Sequence, residues 1–183
     1  MINCIPSECH QIFYRSLIAY KLKFKINEVL NTNMGKQSFH TGSVKKTIKI
    51  KTSQNKVWNK ISNIVGLPTW VVDVKKTVFL SKNKRGIGAV RLITFADGNE
   101  IEEHVIAWKN KEFFTYIATE GLPLRAYVAT ISIKKKSKYL TELTWQSYLN
   151  SKKMSEKQFL EFLVFMGAFY EASLENLKIL LEK

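Results

Sequence analysis

Between Val71 and Tyr148 the chain alternates short apolar and polar runs joined by turn-forming residues, and one aromatic-rich helical pattern follows from Ser155 to Glu182. Side chains repeat every two residues in a strand and every 3.6 in a helix, so this change of period separates a sheet from a helix. Strands are expected near Val71–Leu80, Gly88–Phe95, Glu100–Trp108, Glu112–Thr119, Ala126–Lys134 and Tyr139–Tyr148. The joins carry turn chemistry: Asn83–Gly86, Ala96-Asp97-Gly98, Lys109-Asn110-Lys111, Gly121-Leu122-Pro123 and Lys134–Lys138. Joins this short favour antiparallel neighbours.

An earlier strand is expected over Val44–Lys51, where Ile48 and Ile50 alternate with Lys49 and Lys51. Thr52 or Ser53 can then cap a short helix running to about Ile64, with Val57, Trp58, Ile61 and Ile64 on its inner stripe. Gly66-Leu67-Pro68 breaks it. Ser155-Glu156-Lys157-Gln158 reads as a capping box. The helix it opens carries Phe159, Phe162, Leu163, Met166, Phe169, Tyr170, Leu174, Leu177 and Leu181 at spacings of three and four, with Leu160, Phe165 and Leu180 widening the stripe. The pattern predicts an α+β fold in which a curved antiparallel sheet grips a C-terminal helix.

Residues 1–43 read differently. Tyr20, Leu22, Phe24 and Ile26 alternate with lysines as in a strand, whereas Phe13, Leu17 and Tyr20 fit a helix. Asn31–Ser43 reads as a polar linker. Met34 within it is a candidate physiological start, which would make residues 1–33 an upstream extension. Cys4, Cys9 and His10 offer three soft ligands, one short of a closed zinc site, and two reduced thiols are the simpler reading. The domains expected are an extension and linker over 1–43 and a folded unit over 44–183. No apolar run approaches the roughly 18–20 residues needed to cross a bilayer. Arg15, Lys21, Lys23 and Lys25 interrupt anything resembling a secretory leader, so a cytoplasmic protein is expected. Of the net charge of +14, residues 1–43 contribute +3, leaving the basicity to the main domain. Such a surface attracts polyanions, nucleic acid or anionic lipid alike.

The order of these elements carries a set of short words: Lys56-Val57-Trp58, Leu67-Pro68-Thr69-Trp70, Gly86-Ile87-Gly88-Ala89-Val90-Arg91, Asp97-Gly98, Glu103-His104-Val105, Gly121-Leu122-Pro123 and Thr144-Trp145. Together they make residues from about Val44 to Leu181 resemble the SRPBCC superfamily of START-like, helix-grip proteins, and especially its polyketide cyclase/dehydrase-type members. The resemblance implies two short helices after the first strand and a seven-stranded sheet wrapped around the last helix. It also implies a cavity between them for an apolar or amphipathic small molecule. Residues 1–43 have no counterpart in it.

Two charges stand out within this frame. If Ala96-Asp97-Gly98 is a three-residue loop with Gly98 left-handed, Phe95 opposes Asn99 and Arg91 opposes Glu103, with Ile93 facing Ile101 and Ala89 facing Val105. A two-residue turn would pair Arg91 with His104 instead. Arg91 and Glu103 either orient a ligand's polar group or satisfy each other as a buried pair that pins register. Trp70, Trp108, Phe113, Tyr116, Tyr127, Trp145, Phe162, Phe165 and Phe169 either line a pocket or form plain core. His104 is a possible general base if it faces inward, but Glu102 and Lys109 argue for a partly solvated place. No cofactor or metal is expected, since no phosphate-cradling loop or ligand cluster is present.

The candidate ligand-binding set is therefore Trp70, Arg91, Glu103, Tyr116, Tyr127, Trp145, Phe162, Phe165 and Phe169. The leading expectation is binding or transport of a lipid, isoprenoid or aromatic metabolite, admitted near Leu67–Trp70 and Gly121–Leu124. The alternatives are a cyclase, aromatase or dehydratase using the same interior, and a basic module for nucleic acid or anionic membrane. Only four of the 29 basic residues are arginine, which disfavours specific base readout.

Overall fold

Period-two alternation needs a partner layer to cover its apolar face, and here the long helix is that layer. The computed structural model describes residues 40–183. The readings on Cys4, Cys9 and His10, on Phe13–Ile26, on Met34 and on the linker up to Phe39 lie outside the described residues. The elements are β1 (His40–Ile50), α1 (Gln54–Ile61), a 3-10 helix (Leu67–Thr69), β2 (Val74–Phe79), β3 (Val90–Phe95), β4 (Glu100–Lys109), β5 (Phe113–Glu120), β6 (Ala126–Ser137), β7 (Leu140–Ser151) and α2 (Glu156–Leu181). All seven strands form one antiparallel sheet in the order β1-β7-β6-β5-β4-β3-β2.

Several boundaries move from the expected ones. β1 begins at His40 rather than Val44, because residues 40–43 pair with Leu149–Ser151 and Tyr148 of β7 although they carry no apolar alternation. Gly42 lies under the helix there: a Cβ on it would sit 2.7 Å from Leu163 Cδ1. α1 ends at Ile61, three residues early, yet Val57, Trp58, Ile61 and Ile64 are all buried as its stripe requires. Of the two candidate caps it is Ser53 that accepts from the Lys56 N–H, at 3.3 Å. The strand expected from Val71 starts at Val74; Val71 and Val72 instead approach the sheet through Asp73, which adopts φ 58°. Residues 134–137, expected as a turn, continue β6 against β7, so a long hairpin turns only at Lys138 and Tyr139.

The capping box of α2 forms as read: Gln158 N–H donates to Ser155 Oγ at 3.3 Å, and Ser155 N–H to Gln158 Oε1 at 2.8 Å. At 1.5 Å per residue, its 26 residues make a rod about 39 Å long. Phe159, Phe162, Met166, Tyr170, Ser173, Leu174, Leu177 and Leu181 are buried along it. Leu160 and Leu180 do not widen that stripe. They are exposed, because they lie on the flank turned from the sheet.

The meander places the connections at two ends. The β2–β3, β4–β5 and β6–β7 turns share one end with α1, whose Gln54 side chain donates to the Lys111 carbonyl at 2.8 Å. The C-terminus of α2 is there too, its Leu181 carbonyl accepting from Lys56 Nζ at 2.8 Å. The β3–β4 and β5–β6 connections and the start of α2 occupy the other end. No helix among the described residues is long and apolar enough to cross a membrane.

Candidate functional site

The interior site begins with strand register. The Phe95 N–H donates to the Asn99 carbonyl at 2.8 Å, and Gly98, at φ 83°, donates back to Phe95, so the three-residue loop forms. Arg91 therefore stands opposite Glu103 and Ile93 opposite Ile101, while the Val105 N–H donates to the Ala89 carbonyl at 2.9 Å. The two charges face inward and are 3% and 6% exposed. Arg91 Nε and Nη2 both donate to Glu103 Oε2, at 2.8 and 2.6 Å, and Nη1 donates to the Ile64 carbonyl at 2.7 Å. Burial pushes the Glu103 carboxyl above its ordinary range, and the neighbouring guanidinium draws it part of the way back. The pair thus ties β3, β4 and the segment after α1 together.

A second polar layer adjoins it. The Arg91 guanidinium lies 4.9 Å from the centre of the Tyr116 ring. Trp145 Nε1 donates to the Tyr116 hydroxyl at 2.9 Å, and the Tyr127 and Tyr170 hydroxyls share a hydrogen bond at 2.6 Å. Burial, reinforced by neighbouring negative charge, raises Tyr116 and Tyr127 well above the ordinary tyrosine range, and burial likewise raises Tyr170. All three are neutral hydroxyls at physiological pH.

Aromatic rings complete the wall. Trp145 stacks on Tyr170 at 4.1 Å and 9°, and Trp70 packs against Trp145 at 5.7 Å. Phe162, Phe165 and Phe169 follow one another along α2 at 6.1 and 6.3 Å, with Phe95 of β3 reaching Phe169. Phe162 is buried; Phe165 and Phe169 are half-buried. Every residue of the nine-member sequence-derived set therefore belongs to the inner face of the sheet, α2, or the Trp70 segment between them.

Two of the other aromatics divide. Phe113 does not line the interior: Phe114 is the inward residue of β5, and alternation turns its neighbour out. Trp108 packs on Trp58 and Phe114 because a bulge leaves Ile106 unpaired between Val105 and Ala107, reversing the phase of β4. His104 faces outward, with Nε2 2.6 Å from Glu102 Oε1, a contact that lowers the Glu102 carboxyl below its usual range. It is no candidate for interior proton transfer.

The sequence-derived set omitted Tyr170 and Ser147. Tyr170 was visible as a member of the helical stripe, but only the tertiary contact with Tyr127 makes it part of a polar layer. Some interior polar atoms lack a hydrogen-bond partner, namely Trp58 Nε1, Trp70 Nε1 and Asn150 Oδ1, and Ser147 Oγ lies beside the Tyr170 hydroxyl. Among the described residues, no three His, Cys, Asp or Glu side chains gather as a metal site would require.

Comparison with known proteins agrees with this geometry. The family model for polyketide cyclase / dehydrase and lipid transport matches residues 41–182. The fold is similar to that of XoxI from Bacillus cereus, with TM-score 0.66 and 22% identity over 76% of this chain and 95% of that one. It is also similar to the Zhui aromatase/cyclase from Streptomyces sp. R1128, with TM-score 0.69 and 12% identity over 78% and 94% of the two chains. A START superfamily protein from Mycobacterium smegmatis gives TM-score 0.65 and 14% identity over 76% and 97%. No curated protein matches the sequence. With a curved sheet, a gripped C-terminal helix and a family match over most of its length, the chain belongs to the polyketide cyclase / dehydrase and lipid transport family.

Proposed function

We propose that this protein binds or carries an amphipathic small molecule, largely apolar with one hydrogen-bonding end, between the sheet and α2. The family and fold fit hydrophobic-ligand binding or cyclase-type chemistry at the level of class. The observation that carries the binding reading is the Trp70 indole N–H, buried against Trp145 with no acceptor, in an interior walled by aromatic rings. A buried donor without an acceptor costs about 1–3 kcal/mol, and a carbonyl, ether or hydroxyl on a bound molecule would remove that cost. Ser147 Oγ supplies a second polar contact beside Tyr170. Trp70, Trp145, Phe162, Phe165 and Phe169 supply the flat apolar contacts, and Arg91–Glu103 holds the frame.

The cyclase, aromatase or dehydratase alternative needs an interior group free to take a proton. Glu103 is engaged by Arg91, the Tyr116, Tyr127 and Tyr170 hydroxyls are hydrogen-bonded and raised, and His104 is outside. That arrangement supports binding over proton transfer. Native mass spectrometry of gently purified protein, followed by solvent extraction, tests it. The expected result is a noncovalent adduct of apolar character whose occupancy falls in Trp70→Phe. An unliganded mass, together with no uptake of an apolar fluorophore such as anilinonaphthalene sulfonate, would refute it.

A further inference from the structure

We propose that the sheet end carrying the β2–β3, β4–β5 and β6–β7 turns is a docking surface for an anionic lipid bilayer. These turns, far apart in sequence, are neighbours in space. Arg85 Nη2 donates to Asn110 Oδ1 at 3.5 Å and its guanidinium lies over the Trp108 ring at 5.7 Å, joining the first turn to the second. The Ile133 N–H donates to the Glu112 carbonyl at 2.7 Å, joining the second to the third. Six strands at about 4.8 Å spacing make this edge roughly 24 Å wide.

The charge is concentrated there. Lys82, Lys84, Arg85, Lys109, Lys111, Lys134, Lys135, Lys136 and Lys138 face Glu112 and Glu142, which are paired with Lys109 at 2.9 Å and Lys136 at 3.2 Å, and Glu182, which accepts from the Lys51 N–H at 2.6 Å. The opposite end is nearly balanced, with Asp73, Asp97, Glu100, Glu120 and Glu156 against Lys75, Lys76, Arg125, Lys152, Lys153 and Lys157. The positive field is therefore directional rather than a general property of the surface.

Apolar side chains select the partner. Leu80, Ile87 and Tyr139 are 51, 64 and 65% exposed at the tips of two of these turns, among the lysines. Aliphatic and aromatic tips within a lysine field suit a bilayer interface, where lysines meet anionic headgroups and the tips enter the acyl boundary. Eight of the nine cations here are lysines, which lack the fork suited to base edges, so specific nucleic-acid readout fits this surface less well than a bilayer. The Gly121–Leu124 connection lies at the other end, so docking in this orientation leaves it facing away from the bilayer. The proposal stands independently of what the interior holds.

Co-sedimentation of the full chain with vesicles tests it, comparing pure phosphatidylcholine with a mixture containing roughly 30 mol% phosphatidylglycerol. Binding is expected only to the anionic vesicles and is expected to weaken as salt rises. Lys82→Glu with Lys84→Glu should weaken it at least tenfold, at about fivefold per lysine lost. Ile87→Ser should weaken it about threefold or more. Lys153→Glu with Lys157→Glu, the same charge change at the other end, should leave it within about twofold. Circular dichroism confirms that each variant is folded. No partition to anionic vesicles overturns the proposal, as does equal weakening by the two charge-reversed pairs. Binding to single-stranded RNA that tolerates Ile87→Ser, with no vesicle binding, overturns it in favour of a nucleic-acid surface.

Discussion

Replacing Arg91 by Met isolates the physical role of the buried ion pair. The substitution keeps a long apolar stem but removes three hydrogen bonds, two to Glu103 Oε2 and one to the Ile64 carbonyl. Glu103, 6% exposed, is left as a carboxylate without its cation. Breaking one side of a buried pair costs about 3–5 kcal/mol, at least about a fifth of the roughly 5–15 kcal/mol that holds a domain folded. The loss also depends on pH. Glu103 already titrates above its ordinary range through burial, and removing Arg91 raises it further. A carboxyl raised in the folded state contributes stability below its unfolded pKa and loses it as pH rises through the folded value. The variant should therefore be least stable at neutral and alkaline pH and should recover on moderate acidification. Urea unfolding from pH 5 to 8, followed by tryptophan fluorescence, measures this. Arg91→Met with Glu103→Leu should regain most of the loss, because the desolvated charge is gone. A single variant within about 1 kcal/mol of the parent at pH 7, or a double variant no better than the single, would refute the account.

Two further outcomes follow from the interior and its closure. Gly121, at φ 88°, packs so closely on β4 that a Cβ would lie 1.9 Å from the Glu100 carbonyl oxygen; Gly121→Ala should cost about 3 kcal/mol or more in chemical denaturation. Ultraviolet titration of the phenolates should show Tyr116, Tyr127 and Tyr170 ionising only as the protein unfolds in alkali, and reversible ionisation of all seven tyrosines in folded protein would contradict their burial.

What the sequence alone determined is what local period and turn chemistry encode. Alternation located the strands, Ser155 and Gln158 announced the start of α2, and Ala96-Asp97-Gly98 narrowed the partner of Arg91 to Glu103 or His104. Side-chain direction in a strand is settled by counting from a known turn, and the structure supplied the turn type that selects Glu103. The count failed where tertiary contacts change the phase or extend the pairing. The bulge at Ile106 turns Trp108 inward, and β1 gains residues 40–43 because β7 offers partners and Gly42 lets the helix approach. The hairpin continues through the lysines at 134–136 because backbone pairing with Glu142 and Thr141 persists whatever the side chains carry. Only the tertiary structure could join Tyr127 to Tyr170, leave the Trp70 indole without an acceptor, and gather three separate lysine clusters at one end of the sheet. Each is a relation between residues distant in sequence, and no local pattern reports which distant groups meet.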